Sequence, residues 1–276
     1  MKTQTDWLKI LIHCKDNVKT KIRPHLATLC EPQPDLGRGA GGDLIKPIDL
    51  IAEKAIVEVL QQYCTSFTLI SEESGVKEFG ENPENFYVTL DPIDGTTNMV
   101  RGLPFYASSI AISTMPALSK IFAALVTDLS HDTMYTALGG RGAYCKGKRI
   151  TSSACTSLED AMIGLDLNTY KIQEILPQIT NLIQKTKHIR HFGANALELC
   201  YVADGSTDAF VDIRGKLRVT DMAAGFLILK EAGGIITAPE GYVLDAKLDP
   251  KQKIEFIASG NKKIHKNILS LVKPKC

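Results

Sequence analysis

The chemistry that this sequence can support begins with two acidic residues in one short segment. Asp91 and Asp94 lie in DPIDG, directly after the apolar run FYVTL. Pro92 fixes one backbone angle and Gly95 permits an unusual one, so the turn can direct both carboxylates and the Ile93 carbonyl towards one point. Oxygen donors that converge in this way suit a hard cation such as Mg²⁺. The segment therefore predicts a metal site at the end of a strand.

A pair of glutamates and a distant aspartate offer the same kind of donor. Glu72 and Glu73 follow the apolar run FTLIS, which repeats the arrangement of a strand that ends in acids. Adjacent side chains rarely point the same way, so at most one of the pair is expected to contact a metal. Asp221 precedes MAAGFLILKEAGG, whose small residues allow a close approach to another backbone or to a ligand.

A structural interpretation is open for each of these segments. Asp-Pro and Asp-Gly are common in turns, and Asp94 can cap a helix that starts at Gly95. Ser71 can cap a helix whose positive end the two following glutamates favour. Asp221 can be the N-cap of the helix that follows it. In either interpretation, free N–H groups at Gly95 and Thr96 would form a phosphate site.

The elements that must position these residues are visible in the hydrophobic pattern. Apolar residues recur at helical spacing in residues 7–22 and 48–59. Five β-rich runs follow from residue 66: SFTLIS, NFYVTLD, ASSIAIST, KIFAALVTDL and DTMYTAL. After residue 160 predicted strands (AMIGLDL, HIRHFG, TDAFVDIRG, GGIITAP and IEFIASG) alternate with predicted helices (170–187, ANALELCYVADG, TDMAAGFLILKEAGG and 261–272). The pattern predicts a layered α and β architecture with a large sheet and a smaller one.

Composition places the chain among compact globular proteins and limits its partners. Of 276 residues, 44% are hydrophobic and 23% are charged, which argues against a disordered or fibrous protein. The net charge of +1 gives no overall field that attracts nucleic acid or a membrane. The N-terminal apolar run is too short for a signal peptide or a transmembrane helix, so we expect a cytoplasmic protein. We predict a single domain over residues 1–276, with approximate lobes at 1–155 and 156–276.

Cysteines, histidines and two glycine-rich segments are expected to contribute little chemistry. The seven cysteines include no CxxC pair and the six histidines no HxH or HExxH spacing, which favours buried or surface roles. Residues 37–42 match GxGxxG without a preceding strand pattern, so a dinucleotide site is not expected. Residues 142–148 match GxxxxGK, but Arg149 follows where a P-loop has a hydroxyl and the flanks resemble a β-hairpin.

The segments SEES, DPIDGTTN and TDMAAG with EAGG occur in an order that resembles the inositol monophosphatase family and its fructose-1,6-bisphosphatase relatives. The resemblance extends from DLIKPIDLIAE to the last helix, and the second half is most similar to the archaeal dual-activity branch that hydrolyses both substrates. It implies an αβαβα five-layer sandwich with two sheets, usually a homodimer. It also implies a hydrolase with two or three Mg²⁺ ions per active site, acting on a small phosphorylated sugar or cyclitol by direct attack of a metal-activated water.

The same resemblance assigns roles to individual residues. The family's aromatic residue before the last ligand is replaced here by Thr220, and the stretch that contains Asp212 is two residues longer than in animal-type members. The implied metal ligands are Glu72, Asp91, the Ile93 carbonyl, Asp94 and Asp221, with Glu73 supporting them. Thr96 and Asp49, together with Glu72, are implied to orient the water, while Gly95 and Thr96 contact phosphate and Asp212 contacts substrate hydroxyls.

A second phosphate on the substrate would need a cation at some distance from the metals. HIRHFGAN and VDIRGKLR supply candidates, of which we favour Arg190 and Arg214, with Gly193 and Ala194 lining the sugar pocket. The glycine-rich stretch 37–42 resembles a mobile loop that helps to complete a third metal site through Asp43. The alternatives are a 3′(2′),5′-bisphosphate nucleotidase with the same metal segments, or a relative that binds ligand without catalysis.

Overall fold

The structure is a computed structural model, and it describes residues 6–29, 34, 36–64 and 66–272. Within these ranges the chain forms seven α-helices and thirteen strands in two mixed sheets. The helices are α1 (Trp7–Ile22), α2 (Pro47–Tyr63), α3 (Thr96–Val100), α4 (Ile172–Lys185), α5 (Asn195–Asp204), α6 (Val219–Glu231) and α7 (Lys262–Leu271). The strands are β1 (Phe67–Ser71), β2 (Gly75–Phe79), β3 (Tyr87–Asp94), β4 (Ala107–Ser113), β5 (Ile121–Asp128), β6 (Thr133–Leu138), β7 (Ala143–Cys145), β8 (Lys148–Arg149), β9 (Met162–Leu165), β10 (His188–Arg190), β11 (Ala209–Arg218), β12 (Ile235–Thr237) and β13 (Lys253–Ser259).

The large sheet has eight strands in the order β2-β1-β3-β4-β5-β6-β7-β8. Strands β1 and β3 are parallel, with Ser71 opposite Leu90, whereas the other neighbours are antiparallel. Because parallel strands end at the same edge of a sheet, the residues that follow β1 lie beside the last residues of β3. This pairing brings two of the predicted acidic segments together.

The two N-terminal helices cover one face of the large sheet. Their apolar stripes, which include Leu11 in α1 and Ile56 in α2, pack on alternate side chains such as Leu69, Leu90 and Leu125. The period-2 alternation of the strands places these residues on one face. Trp7 adds edge-to-face contacts with Phe86 and Phe122, whose ring centroids lie 4.9 and 6.0 Å away.

Helices α5 and α6 fill the space between the two sheets. Ala111 and Val126 of the large sheet and Phe210 and Phe256 of the small sheet belong to the same core cluster as these helices. The eleven residues of α6 from Val219 to Leu229 are all buried, as expected for a helix that is enclosed on every side.

The small sheet has the order β10-β9-β11-β13-β12, and its other face is covered by α4 and α7. The layers are therefore helix pair, eight-stranded sheet, helix pair, five-stranded sheet and helix pair. The αβαβα sandwich is confirmed.

The strand and helix assignments from the sequence differ from the structure mainly in the polar, short elements. Strand β2 was not predicted because its sequence GVKEF is polar and three of its five residues are exposed. The chain turns after Ser71 into this antiparallel hairpin, so the interpretation of Ser71 as a helix cap is wrong. The hairpin predicted around residues 142–148 is confirmed by β7 and β8.

Within the described ranges, no helix combines the length and the apolar character that crossing a lipid bilayer requires. The five cysteines in those ranges are free thiols, and Cys14, Cys64 and Cys200 are buried, in agreement with the expectation of apolar roles. Cys30 and Cys276, like residues 31–33, lie outside the described residues.

Candidate active site

Three carboxylates from distant parts of the sequence meet at one point. Glu72 follows β1, Asp91 lies in β3, and Asp221 lies in the first turn of α6. One oxygen of each lies within 4.8 Å of the others, and the three residues are 9%, 3% and 5% exposed. Oxygen donors that are clustered and shielded from water suit a hard divalent cation. This trio is called the acid cluster below.

The electrostatics of the acid cluster favour a cation. Burial raises the pKa of Glu72 well above its ordinary value, and the charge of Asp221 raises it further. Burial also raises the pKa of Asp91, with the charges of Glu72 and Asp94 as further causes. Buried like charges destabilise one another's ionised forms, and a bound cation relieves this repulsion. The residues present therefore fit a metal site.

A guanidinium group already lies against the acid cluster. Arg218 Nη2 is 2.6 Å from Glu72 Oε1, and its Nε is 3.2 Å from Asp221 Oδ1. Its Nη1 is 2.8 Å from Asp43 Oδ2. Arg218 is the N-cap residue of α6, and its backbone N–H donates to Asp221 Oδ2 (3.2 Å). Asp221 is the third residue inside the helix, so the interpretation of Asp221 as the N-cap is wrong, although its side chain accepts a hydrogen bond at the helix start.

Asp94 lies beside the acid cluster but not among the three residues that meet. Its Oδ2 accepts a hydrogen bond from the backbone N–H of Ala196 (2.6 Å), in the first turn of α5. The cap residue of α3 is Gly95, without a side-chain cap, so the interpretation of Asp94 as the cap of that helix is wrong. Burial raises the pKa of Asp94 to about 7, and the charge of Asp221 adds to this effect. Its role as a metal ligand stays a prediction.

Thr96 forms hydrogen bonds with two other predicted site residues, Ile93 and Asp49. Its hydroxyl lies 2.8 Å from the Ile93 carbonyl and 3.2 Å from Asp49 Oδ1, so one proton is shared between two acceptors. Burial raises the pKa of Asp49 to about 8, and the nearby charge of Glu73 contributes. At neutral pH a large fraction of Asp49 is therefore protonated before any cation binds.

The turn that carries Gly95 is in close contact with the segment that carries Gly193 and Ala194. Gly95 has φ +87°, and a Cβ there would lie 3.0 Å from Ala194 Cβ and from the Phe105 carbonyl oxygen. A left-handed conformation together with such close contacts requires glycine. The predicted phosphate and sugar residues are thus neighbours.

Asn98 holds the two segments in place. Its Nδ2 donates to the carbonyl oxygens of Phe105 (2.9 Å) and Phe192 (2.7 Å). The rings of Phe105 and Phe192 stack on each other, with centroids 4.8 Å apart. The amide therefore fixes Gly193 relative to α3, a role that the sequence did not suggest.

The two arginines that were predicted to contact a second phosphate of the substrate, Arg190 and Arg214, have different surroundings. Arg214 is held by Asp166 and by Asp212, whose oxygens lie within ion-pair distance of Nη2 (2.5 Å for Asp212). His191 Nδ1 lies 3.7 Å from Asp166 Oδ1. Arg190 is exposed, and its Nη1 donates to the carbonyl of the preceding residue. The substrate roles of Arg190, Asp212 and Arg214 stay predictions.

Glu198 holds the backbone of the segment that carries Gly193 and Ala194. Its Oε1 accepts from the backbone N–H groups of Phe192 (3.3 Å) and Gly193 (3.1 Å). The residue is 2% exposed, and burial raises its pKa to about 8. Its Oε2 lies 2.8 Å from where a Cβ of Gly164 would be, so strand β9 approaches it closely.

Glu73, predicted to support the metal ligands, is not one of the three residues of the acid cluster. Burial raises its pKa to about 7, and the charge of Glu53 contributes. Its carbonyl accepts the N–H of Ala40 (3.1 Å). This bond joins Glu73 to the glycine-rich stretch 37–42, and its support of the metal ligands stays a prediction.

Four residues around the site were not singled out by sequence reasoning: Asn98, Asp166, Glu198 and Arg218. The available signal for Arg218 was its position three residues before Asp221, because residues at this spacing are neighbours at a helix start. Asp166 follows an apolar run, and Glu198 interrupts one. A carboxylate that is buried in such a place needs a partner. Their partners are distant in sequence and could not be identified without the fold.

Comparison with known proteins gives three findings. The model of the inositol monophosphatase family matches residues 4–275. The fructose-1,6-bisphosphatase/inositol-1-monophosphatase of Methanothermobacter thermautotrophicus is 33% identical over an alignment of 276 positions, which covers 95% of this chain and 95% of that protein. The crystal structure of an inositol monophosphatase-fructose 1,6 bisphosphatase superposes with a TM-score of 0.85 at 29% identity and covers 97% of this chain and 100% of the other.

A relative that is named for a different activity also matches. The bifunctional NADP phosphatase/NAD kinase of Methanococcus maripaludis is 33% identical over an alignment of 285 positions. The match spans 96% of this chain but 49% of that longer protein.

Proposed function

The chain belongs to the inositol monophosphatase family and is a phosphomonoesterase, and we propose that it is Mg²⁺-dependent and hydrolyses inositol 1-phosphate, fructose 1,6-bisphosphate or both by direct attack of water. The observation that carries this proposal is the acid cluster of Glu72, Asp91 and Asp221 at the edge where β1 and β3 end. The names of the archaeal relatives support the two substrates.

The chain's own residues suit the binding of a cation and a phosphate side by side. Glu72, Asp91 and Asp221 would hold Mg²⁺, with Asp94 and the Ile93 carbonyl as further proposed ligands. When bound there, Mg²⁺ supplies charge neutralisation of the phosphate and lowers the pKa of a water molecule.

Phosphate binding is proposed at the start of α3. The first helical hydrogen bond recorded there runs from the N–H of Met99 to the carbonyl of Gly95 (3.1 Å). The N–H groups of the preceding residues lie at the helix start, where an α-helix has no internal acceptors for them. N–H groups in this position bind anions, which supports Gly95 and Thr96 as phosphate contacts.

Thr96 and Asp49 are proposed to orient the attacking water. The Thr96 hydroxyl is held between the Ile93 carbonyl and Asp49, so its lone pairs face the remaining direction. A raised pKa lets Asp49 exchange a proton near neutral pH. Glu72, a member of the acid cluster, is the third residue proposed for this task.

The sugar or cyclitol is proposed to lie against Gly193 and Ala194, beside Gly95. Asp212 and Arg214 contact each other, and Asp166 contacts the same guanidinium. Two carboxylates around one arginine suit a polyol, whose hydroxyls both donate and accept. Arg190 remains the proposed contact for a distal phosphate because its guanidinium is exposed.

The test is phosphate release from three substrates, each with Mg²⁺ and with EDTA. Inositol 1-phosphate, fructose 1,6-bisphosphate and adenosine 3′,5′-bisphosphate separate the branches of the family. Asp221→Asn keeps an oxygen that can accept from the backbone N–H of Arg218 but removes a charge from the acid cluster, and it is expected to lose most Mg²⁺-dependent release. Full activity in EDTA would contradict the metal proposal.

A second candidate is hydrolysis of a phosphate on a nucleotide. It is supported by the NADP phosphatase/NAD kinase relative, which matches nearly the whole of this chain. Preference for NADP or for adenosine 3′,5′-bisphosphate over both polyol phosphates would favour this candidate. Mg²⁺ binding without turnover of any of these compounds would favour a non-catalytic relative.

The homodimer and the cytoplasmic location stay proposals. Sedimentation of the purified chain tests the first, and fractionation of cells tests the second.

A further inference from the structure

A groove on the large sheet lies apart from the acid cluster. It is next to the edge strand β2, on the sheet face that is turned away from α1 and α2, and its volume is about 250 Å³. Its floor includes Ile70 of β1, Val76 of β2 and Tyr87 of β3. Tyr87 begins β3, whereas Asp91 of the acid cluster lies four residues farther along that strand, about 13 Å away at strand spacing. We call this feature the β2 groove.

The walls of the β2 groove are held by hydrogen bonds. The hydroxyl of Thr68, in the floor, donates to the carbonyl of Pro83 in one wall (3.0 Å). In the other wall, the N–H of Leu248 donates to the carbonyl of Pro116 (3.0 Å). Each wall is therefore fixed to its surroundings, and the groove is formed before any ligand binds, as binding sites for small molecules usually are.

Acidic side chains outnumber basic ones around the β2 groove. Its lining contains the carboxylates of Glu78, Glu84 and Asp249 and the ammonium group of Lys247. Lys247 Nζ lies 4.0 Å from Asp249 Oδ2, so these two charges offset each other. None of the ion pairs between described residues includes Glu78 or Glu84. Two uncompensated negative charges therefore border the groove.

The lysine that precedes Glu78 in the sequence does not neutralise it. Lys77 lies on the opposite face of β2, because neighbouring residues of a strand alternate between the two faces. On that face its Nζ is 3.8 Å from Glu53 Oε1 of α2. The groove thus combines an apolar floor with two carboxylates whose counter-charges the described residues do not supply.

We propose that the β2 groove binds an aliphatic amine with at least two ammonium groups. Its methylene chain packs on Ile70 and Val76, where burial of apolar surface favours binding. Its ammonium groups pair with Glu78 and Glu84. An ammonium group close to the ring of Tyr87 gains a further attraction to the face of that ring.

The composition of the groove favours this occupant over an inorganic cation. Mg²⁺ and Ca²⁺ require several oxygen atoms that converge on one point. In the part of the chain that the structure describes, three acidic groups meet in this way at the acid cluster and not in the groove. An inorganic cation would also leave the apolar floor unused. The inference goes beyond the proposed function and does not depend on it.

The amine would contact both strands of a hairpin that leads to the acid cluster. Ser71 of β1 pairs with Gly75 of β2, so the three residues between them form the turn. Glu72 is the first residue of this turn and lies two residues after Ile70 of the groove floor. An amine in the groove restrains the hairpin without occupying the acid cluster. It is therefore expected to slow the hydrogen exchange of residues 67–79.

The test is titration calorimetry with spermidine and with 1,4-diaminobutane, in EDTA and without substrate, followed by hydrogen exchange with mass spectrometry. Spermidine is expected to bind and to protect residues 67–79. Glu78→Gln/Glu84→Gln removes both charges from exposed positions. It is expected to weaken spermidine binding about tenfold, as the loss of two exposed ion pairs implies. Butylamine, which has one ammonium group, is expected to bind more weakly than 1,4-diaminobutane.

Two control variants make the test specific. Glu159→Gln/Glu240→Gln removes the same charge from two exposed glutamates, in the connections next to β9 and β12 of the small sheet. Its spermidine affinity is expected to equal that of the unaltered protein. Asp221→Asn removes a charge from the acid cluster and is also expected to keep the affinity, because the acid cluster is not part of the groove.

Equal spermidine affinity in Glu78→Gln/Glu84→Gln and in the unaltered protein would overturn the inference. Loss of binding in Asp221→Asn would also overturn it, because the amine would then occupy the acid cluster. Hydrogen exchange of residues 67–79 that spermidine leaves unchanged in the unaltered protein is a third contrary result, and it needs no variant. The measurements need neither Mg²⁺ nor turnover, so the inference and the proposed phosphatase activity can fail independently.

Discussion

At the scale of single residues, the Thr96 hydroxyl is the group whose chemistry is easiest to isolate. It contacts Asp49 and the Ile93 carbonyl. Thr96→Val keeps the shape of the side chain and removes the donor. We expect kcat to fall about 10²-fold, typical of losing a group that positions a proton transfer, whereas KM changes little. Steady-state kinetics measure this.

Thr96→Ser is the matched control for that prediction. Serine keeps the hydroxyl and loses only a methyl group, so most of kcat should return. A valine variant with unaltered kcat would remove Thr96 from the proposed mechanism, whatever the result for serine.

Glu198 gives a prediction about pH and stability. Its pKa is raised from 4.5 to about 8 in the folded protein, so the folded state holds its proton more tightly than the unfolded chain. Its contribution to stability is complete below pH about 4.5 and is lost as the pH rises through about 8. Between these two pH values, the free energy of unfolding falls by up to about 1.4 kcal/mol per pH unit because of Glu198. Glu198→Gln, which still offers an acceptor to Gly193, is expected to lack this pH dependence.

Urea unfolding between pH 6 and 8.5 in EDTA measures the slope. Glu231→Gln is the control, because Glu231 also accepts from two backbone N–H groups, those of Gly140 and Gly142, but is only partly buried. Equal slopes in the unaltered protein and in Glu198→Gln would contradict the assignment.

At the scale of elements, the contact between α5 and α6 holds two acids in place. Asp221 lies in the first turn of α6, and Asp94 is bonded to the first turn of α5. Gly225 allows the helices to approach, because a Cβ there would lie 2.8 Å from Leu199 Cβ. Alanine is the better helix former by about 1 kcal/mol, yet we expect Gly225→Ala to destabilise the protein by about 1–3 kcal/mol through overpacking.

Gly139→Ala is the control for that substitution. A Cβ at Gly139 would meet its nearest neighbour at 3.7 Å, an ordinary contact. Chemical unfolding of both variants should show a loss of stability for Gly225→Ala alone. A Gly225→Ala protein as stable as the unaltered one would mean that the helices can separate at little cost.

Elements with strong apolar patterns could be predicted from the sequence, and elements without them could not. Strands β1 and β3 were evident from FTLIS and YVTL, and the acids after them were therefore expected at a sheet edge. The polar strand β2 was missed, and with it the turn that directs Glu72. The parallel pairing of β1 with β3 depends on contacts distant in sequence, which no local pattern contains.

The same limit explains which parts of the site were missed. Asp91 and Asp221 are marked by their own neighbours in the sequence, whereas Arg218 becomes meaningful only when Glu72 and Asp43 are placed beside it. The structural alternative for Asp94 was that it caps the next helix, but the fold brings Ala196 of α5 to it instead. Long-range pairing, rather than local propensity, decided both outcomes.

At the scale of the whole molecule, the site depends on both sheets and on the helices between them. Glu72 and Asp91 belong to the large sheet, whereas Asp221 follows the last strand residue, Arg218, of the small sheet's β11. A cation bound to all three would therefore link the two sheets. Ligands that bind only the folded state stabilise it in proportion to the logarithm of their concentration over Kd, so Mg²⁺ should raise the unfolding temperature of the whole chain.

The size of this stabilisation should depend on pH. Burial raises the pKa of Asp94 to about 7 and that of Asp49 to about 8, so in EDTA the folded protein loses stability as the pH rises from about 4 through about 8. Cation binding needs ionised carboxylates and releases their protons, so Mg²⁺ affinity rises over the same range. We expect the shift in unfolding temperature produced by Mg²⁺ to be larger at pH 8 than at pH 6. Scanning calorimetry at both values measures it, with Asp221→Asn expected to show a small shift at either pH. An equal shift at pH 6 and pH 8 would mean that the acids are already ionised before the cation binds, and that the raised pKa values do not govern metal binding.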